Sequence, residues 1–203
     1  MKKTLLLFSM LAFSNFVTAQ TDSWNADPDQ NPKQKKEAEV IEMIKDGGVN
    51  LMKIDQIPFD LISKHNENIR VLIVTNSPDL TSIPAKINTL KNLKKFYISG
   101  TQVKDLPEDL FKIDGLESFE YNMNQTEKIP SAIGNLTSLK KLNLSLLPIT
   151  TLPVEIGKLT NLESLEITNN KGGKHIANKS YNLVGIKHLP KEIGNLTKLN
   201  KLY

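Results

Sequence analysis

Hydrophobic positions recur along this chain at fixed offsets. Leu93, Phe96 and Ile98 are followed by Leu116, Phe119 and Tyr121, then Leu139, Leu142 and Leu144, then Leu162, Leu165 and Ile167. In each set the last two members flank a single residue, so both face one side of an extended segment. Each set therefore predicts a short strand. An Ile-Pro or Leu-Pro pair recurs with it, its prolines at 58, 84, 107, 130, 153 and 190, spaced by 26, 23, 23, 23 and 37 residues. Proline fixes the backbone where the chain turns, and an outer arm returns through Ile133 and Leu136, or Ile156 and Leu159. A period in the twenties with apolar residues at set offsets predicts a solenoid. Its stacked coils pair their strands into a parallel sheet, each edge satisfied by the next coil.

The segments IPSAIGNLTSLKKLNLSLL from Ile129, LPVEIGKLTNLESLEITNN from Leu152 and LPKEIGNLTKLNKLY from Leu189 are near-copies. They resemble the leucine-rich repeat family in its LPxxIGxLxxLxxLxLxxNxL variant, the pattern of secreted bacterial repeat proteins and the Ras-suppressor-like subgroup. The resemblance runs from Ile57 to Tyr203. It implies an α/β solenoid, a horseshoe with a parallel β-sheet on its concave face and short helical, 3-10 or irregular convex segments. About six repeats are expected over 57–203, the last truncated. The family's turn asparagine stands at Asn124 and Asn170, while Ser77, Thr101 and Leu147 replace it elsewhere. Serine and threonine can hydrogen-bond backbone in its place; leucine cannot. Gly134, Gly157 and Gly194 share one repeat position, which points to a backbone constraint, although Asn88 and Phe111 occupy it earlier.

Ahead of the repeats the pattern changes twice. Lys2 and Lys3 followed by the largely apolar Leu5–Val17 and the small Ala19 predict a cleaved signal peptide over 1–19. Its apolar run would span about 20 Å as a helix, short of a bilayer's roughly 30 Å core, so no membrane span is expected after its removal. A polar spacer over 20–32 contains Trp24, the only tryptophan. From Lys33 the positions Ala38, Ile41 and Ile44, with Val40 beside them, predict an amphipathic helix that Gly47 and Gly48 end. With a degenerate half-repeat that turns Val49, Leu51, Ile54 and Ile57 inward, it gives a helical N-terminal cap over 33–56 covering the first coil.

Composition narrows the function. Without the two leader lysines the chain carries 24 basic and 22 acidic residues, interspersed, which offers no case for nucleic acid. There is no cysteine, which excludes disulfides, thiolate metal sites, cysteine nucleophiles and a lipidated cysteine. His65, His175 and His188 lie in separate connections, with no HExxH motif, no clustered carboxylates and no phosphate-cradling glycine loop. No catalytic, cofactor or metal site is expected.

Residues between and after the core leucines face the concave side: Lys95, Tyr97 and Ser99; Ser118, Glu120 and Asn122; Lys141, Asn143 and Ser145; Ser164, Glu166 and Thr168. The resemblance implies that a protein partner binds there. Lys95, Tyr97, Glu120, Asn122, Lys141, Asn143, Glu166 and Thr168 are the candidate contacts, with Tyr97 the candidate hot spot. The long 37-residue interval holds an insertion near 171–184 whose Lys174, His175 and Tyr181 would supply specificity at one rim. The expected role is a non-enzymatic protein-binding scaffold, exported to the periplasm, cell surface or medium of a bacterium. Two alternatives stand beside it. One is a self-associating surface protein, an edge-to-edge homodimer through the C-terminal repeat, where Leu199 and Leu202 lie on an open strand edge. The other, ranked lower because aromatics make up 6% of residues, is a glycan-binding module.

Overall fold

The computed structural model describes residues 32–168 and 185–203. Residues 1–31 and 169–184 lie outside the described residues, and with them the signal peptide, all but the last residue of the spacer, Asn170 and the insertion with Lys174, His175 and Tyr181. The chain divides into Met1–Lys35, of which Pro32–Lys35 are described, and Lys36–Tyr203.

Helix α1 (Pro32–Lys45) opens on proline, whose missing N–H would be unsatisfied there anyway. It ends where the Gly47 N–H donates to the Ile44 carbonyl at 2.9 Å, with Gly47 at φ +78°. The buried stripe differs from the expected one: Val40 and Ile44 are buried, Ile41 is half-buried and Ala38 is exposed. At about 100° per residue Ala38 points roughly 120° away from Ile44, whereas Val40, four residues back, is only about 40° off. The four-residue step keeps the stripe on the core; the three-residue step does not.

Seven parallel strands follow in simple sequence order: β1 (Gly48–Met52), β2 (Val71–Ser77), β3 (Lys95–Thr101), β4 (Ser118–Asn122), β5 (Lys141–Asn143), β6 (Ser164–Glu166) and β7 (Lys201–Leu202). Residues Val49, Leu72, Phe96, Phe119, Leu142, Leu165 and Leu202 lie in register across the sheet. All but Leu202 are buried. A second column, Leu51, Val74, Ile98 and Tyr121, is buried beside it. Phe96 stacks on Phe119 at 5.8 Å between ring centroids, and Phe119 on Tyr121 at 5.9 Å.

After the short helix α2 (Phe59–Ser63) in the first coil, the outer arm of each later coil is a 3-10 turn: η1 (Ile87–Thr89), η2 (Glu108–Lys112), η3 (Ser131–Asn135), η4 (Val154–Lys158) and η5 (Lys191–Asn195). Pro107, Pro130, Pro153 and Pro190 stand immediately before four of them with extended backbone. Their carbonyls accept the N–H three residues on, at 3.0–3.1 Å, so each proline starts the turn it cannot donate to. The shared glycine of the last repeats has a steric cause. A Cβ on Gly134 would lie 2.7 Å from the Glu155 carbonyl oxygen of the next coil, and one on Gly157 would lie 2.6 Å from that of Glu192. One on Gly194 would meet nothing within 4 Å.

Each of the first five strands leaves through a left-handed residue: Lys53, Asn76, Gly100, Met123 and Leu146, with φ between +47° and +68°. The next residue carries the turn ladder. Asn124 is buried, accepts from the Thr101 N–H at 3.2 Å and hydroxyl at 2.7 Å, and donates to the Ile98 carbonyl. Ser77 accepts from the Ile54 N–H at 3.3 Å, so serine does substitute for asparagine, whereas Thr101 accepts from the Val103 N–H of its own coil at 3.2 Å. Leu147 instead drops into the core. There Asn143 takes over the polar work, its side-chain oxygen accepting from the Ser145 N–H at 2.9 Å. This is a horseshoe solenoid of stacked strand–turn coils.

Candidate functional site: the exposed face of the sheet

Strand pleating puts alternate residues on the face away from the leucine core, and in-register stacking lines them up in three rows about 4.8 Å apart from strand to strand. The first row runs Val71, Lys95, Ser118, Lys141, Ser164, Lys201. The second runs Asn50, Ile73, Tyr97, Glu120, Asn143, Glu166. The third begins Met52, Thr75, Ser99, Asn122, and Ser145 and Thr168 extend it, the Thr168 N–H donating to the Ser145 hydroxyl at 3.2 Å.

The structure brings the eight candidate sheet residues onto this one face but gives them unequal access. Lys95 and Thr168 are exposed, and Tyr97, Glu120, Lys141 and Glu166 are half-buried. Asn122 and Asn143 are buried, and their side chains are engaged within the sheet. Ser99 donates to Asn122 at 2.6 Å, and Asn143 donates to Glu166 at 2.7 Å. Lys141 pairs with Glu120 at 2.9 Å. Partial burial works against the Lys141 ammonium, and the hydrogen bond and charge of Glu120 outweigh it, holding its pKa above the usual lysine value.

Four contributors lie outside the residues picked out by sequence. Val71 and Ile73 are half-exposed on β2, Met52 is 46% exposed at the end of β1, and Asn50 lies between them. The available signal was the VLIV run: an apolar residue on both faces of a strand whose neighbours alternate. Of the described histidines, His65 lies in the turn after α2, and His188 bridges to Thr151 near η5. Among the described residues no group of His, Asp or Glu could hold a metal ion, and no helix is long and apolar enough to cross a membrane.

The sequence matches the family described as "Leucine-rich repeat region" over residues 66–182. No curated protein sequence matches the chain. Among solved structures, a leucine-rich repeat protein of Leptospira interrogans superposes with a TM-score of 0.56 at 27% identity, over 72% of this chain and 33% of that one. An internalin of Listeria monocytogenes gives 0.54 at 20% identity, over 76% of this chain and 46% of its own. The ectodomain of the Arabidopsis receptor kinase HAESA, in complex with an IDA peptide hormone ligand, gives 0.52 at 25% identity, over 76% and 24%. The chain thus spans between about a quarter and a half of each of these proteins.

Proposed function

We propose, from the premise that this chain belongs to the leucine-rich repeat family, that it is a non-enzymatic recognition module whose protein partner lies across the exposed face of the sheet. The observation that carries this reading is the face itself. Seven in-register strands present three rows of side chains on a rigid backbone, with half-exposed Tyr97 among them. Such a surface meets the geometric needs of a broad interface, in which a few aromatic and arginine anchors dominate. The similar HAESA ectodomain is complexed with a peptide hormone ligand, which supports a polypeptide partner here. The leader expected over 1–19 supports a place outside the cytoplasm, at a bacterial envelope or beyond it. Fractionation of cells expressing the full chain tests that placement, and a mature protein retained in the cytoplasm would refute it.

The binding test is capture from envelope extracts on the natural protein and on a Tyr97→Ala, Glu120→Lys, Glu166→Lys variant. A partner retained by the first and lost by the second supports the sheet face; equal retention moves the site elsewhere. A specific observation favours self-association as a second reading. Leu189, Leu202 and Tyr203 are 43%, 47% and 60% exposed around a hollow of about 370 Å³, which Ile167, Gly185 and Ile186 complete. Light scattering at twice the monomer mass, abolished by Leu202→Lys, would establish it.

A further inference from the structure

The two ends of the exposed face differ in kind. On and after β4 several of its polar groups are engaged with one another, Lys141 with Glu120, Asn143 with Glu166, and Thr168 with Ser145, while the exposed Lys201 on β7 forms no ion pair among the described residues. A ligand there would exchange hydrogen bonds already made for new ones, with little net gain. Across β1–β3 the case is reversed. Ile73 is half-exposed at the centre of a small apolar surface, with Val71 two residues before it on the same strand and Tyr97 in register on the next. Met52 stands two residues beyond Asn50 on β1, in register with Thr75.

The rim of this surface has a definite chemistry. Arg70 precedes β2, and Lys95 lies in register with Val71; both are exposed. Neither forms an ion pair among the described residues. On the opposite flank, Asn50 is in register with Ile73, and its side-chain oxygen is buried without a hydrogen-bond partner among the described residues. That oxygen is closed to solvent, so the recognition chemistry falls to the two cations. An apolar centre and two exposed cations without an ion pair among the described residues define a complement.

We infer that the partner is an extended protein segment carrying an aliphatic or aromatic side chain next to an Asp or Glu carboxylate, seated on the β1–β3 end of the sheet. The apolar side chain covers Ile73, Val71 and Tyr97. The carboxylate meets Arg70 and Lys95, where partial desolvation strengthens the attraction. The inference rests on the reading that the exposed sheet face is the binding surface, and it names which end binds and what is bound.

The test uses the full chain as bait for a phage-displayed random dodecapeptide library. Enriched sequences are expected to pair an apolar residue with Asp or Glu one or two positions away. Synthetic copies should bind at least about tenfold more weakly to Ile73→Ser or Tyr97→Ala. The double variant Arg70→Glu, Lys95→Glu should instead select Lys or Arg, an inversion that a general loss of structure cannot produce. Enriched peptides that lack the acidic–apolar pair and depend on Glu120 or Glu166 would overturn this inference and leave the sheet-face reading standing. Binding indifferent to every substitution on the face would overturn both. Failure to enrich any sequence, or self-association abolished by Ile73→Ser, would show that the occupant is not such a segment.

Discussion

Single residues in this protein act mainly by what they do for the adjacent coil. Tyr121 takes a core position in register with Ile98, yet its hydroxyl donates to the Val103 carbonyl at 3.0 Å and accepts from Thr126, whose hydroxyl also lies 2.6 Å from the Lys104 carbonyl oxygen. Burial holds the phenol well above the usual tyrosine range, only partly offset by the Thr126 hydrogen bond. Tyr121→Phe keeps the ring stack and strips the buried network, and should lower stability by about 1–2 kcal/mol in urea denaturation. Leu142→Ala, fully buried at the centre of the main column, should cost roughly 2–5 kcal/mol in the same assay. The turn ladder was legible at this scale, because an asparagine, serine or threonine at a set offset has one obvious task. The left-handed residues were not. Lys53, Met123 and Leu146 adopt positive φ, a conformation their side chains disfavour, because strand and outer turn must meet there.

At the scale of the element, the constraint is the distance between coils. Gly134 and Gly157 let one 3-10 turn approach the carbonyl of the next, and Gly194 has no such neighbour among the described residues. Gly157→Ala should therefore destabilise by about 1–3 kcal/mol through overpacking. Gly194→Ala, the same change at the same repeat position, should be close to neutral in thermal melts. Equal effects would mean that the glycine serves its own coil rather than the stack. A second inter-coil tie runs along the strand starts, where Glu117 pairs with Lys140 at 2.8 Å and approaches Lys94 at 3.9 Å. The hydrogen bond and charge of Lys140 hold the Glu117 carboxyl below its usual pKa. A depressed carboxyl contributes stability above the ordinary glutamate range and loses it as pH falls through the folded value. Glu117→Gln should flatten that acid limb by about 0.5 kcal/mol or less, since both side chains are widely solvated.

For the whole molecule, a stack whose coils touch only their neighbours makes stability local. The N-terminal coil is covered by α1 through Val40 and Ile44, so Val40→Asp with Ile44→Asp should unravel the stack from that end. Hydrogen exchange would then show early loss of protection in β1 and β2 while β4–β6 stay protected. Uniform loss along the sheet would mean the solenoid folds as one cooperative unit. The proposed binding surface belongs to this scale as well: no single strand holds the residues around Ile73, which need β1, β2 and β3 in register.

The sequence by itself determined the period, the inward columns, the turn prolines and the identity of the repeat, because each is a local pattern copied coil after coil. It also predicted which residues of β3–β6 share the outer face, since a two-residue alternation decides that within a strand, but it did not pick out Asn50, Met52, Val71 or Ile73 on β1 and β2. Tertiary structure decided what depends on one coil meeting another. It turned α1 onto Val40 and Ile44, engaged Asn122 and Asn143 with their neighbours across the sheet, and gave Gly134 and Gly157 their purpose. Among the described residues it also left the Arg70 and Lys95 side chains without an ion pair beside Ile73. These outcomes rest on distances between residues more than twenty positions apart, and sequence spacing carries no record of which of two neighbours a polar group will choose.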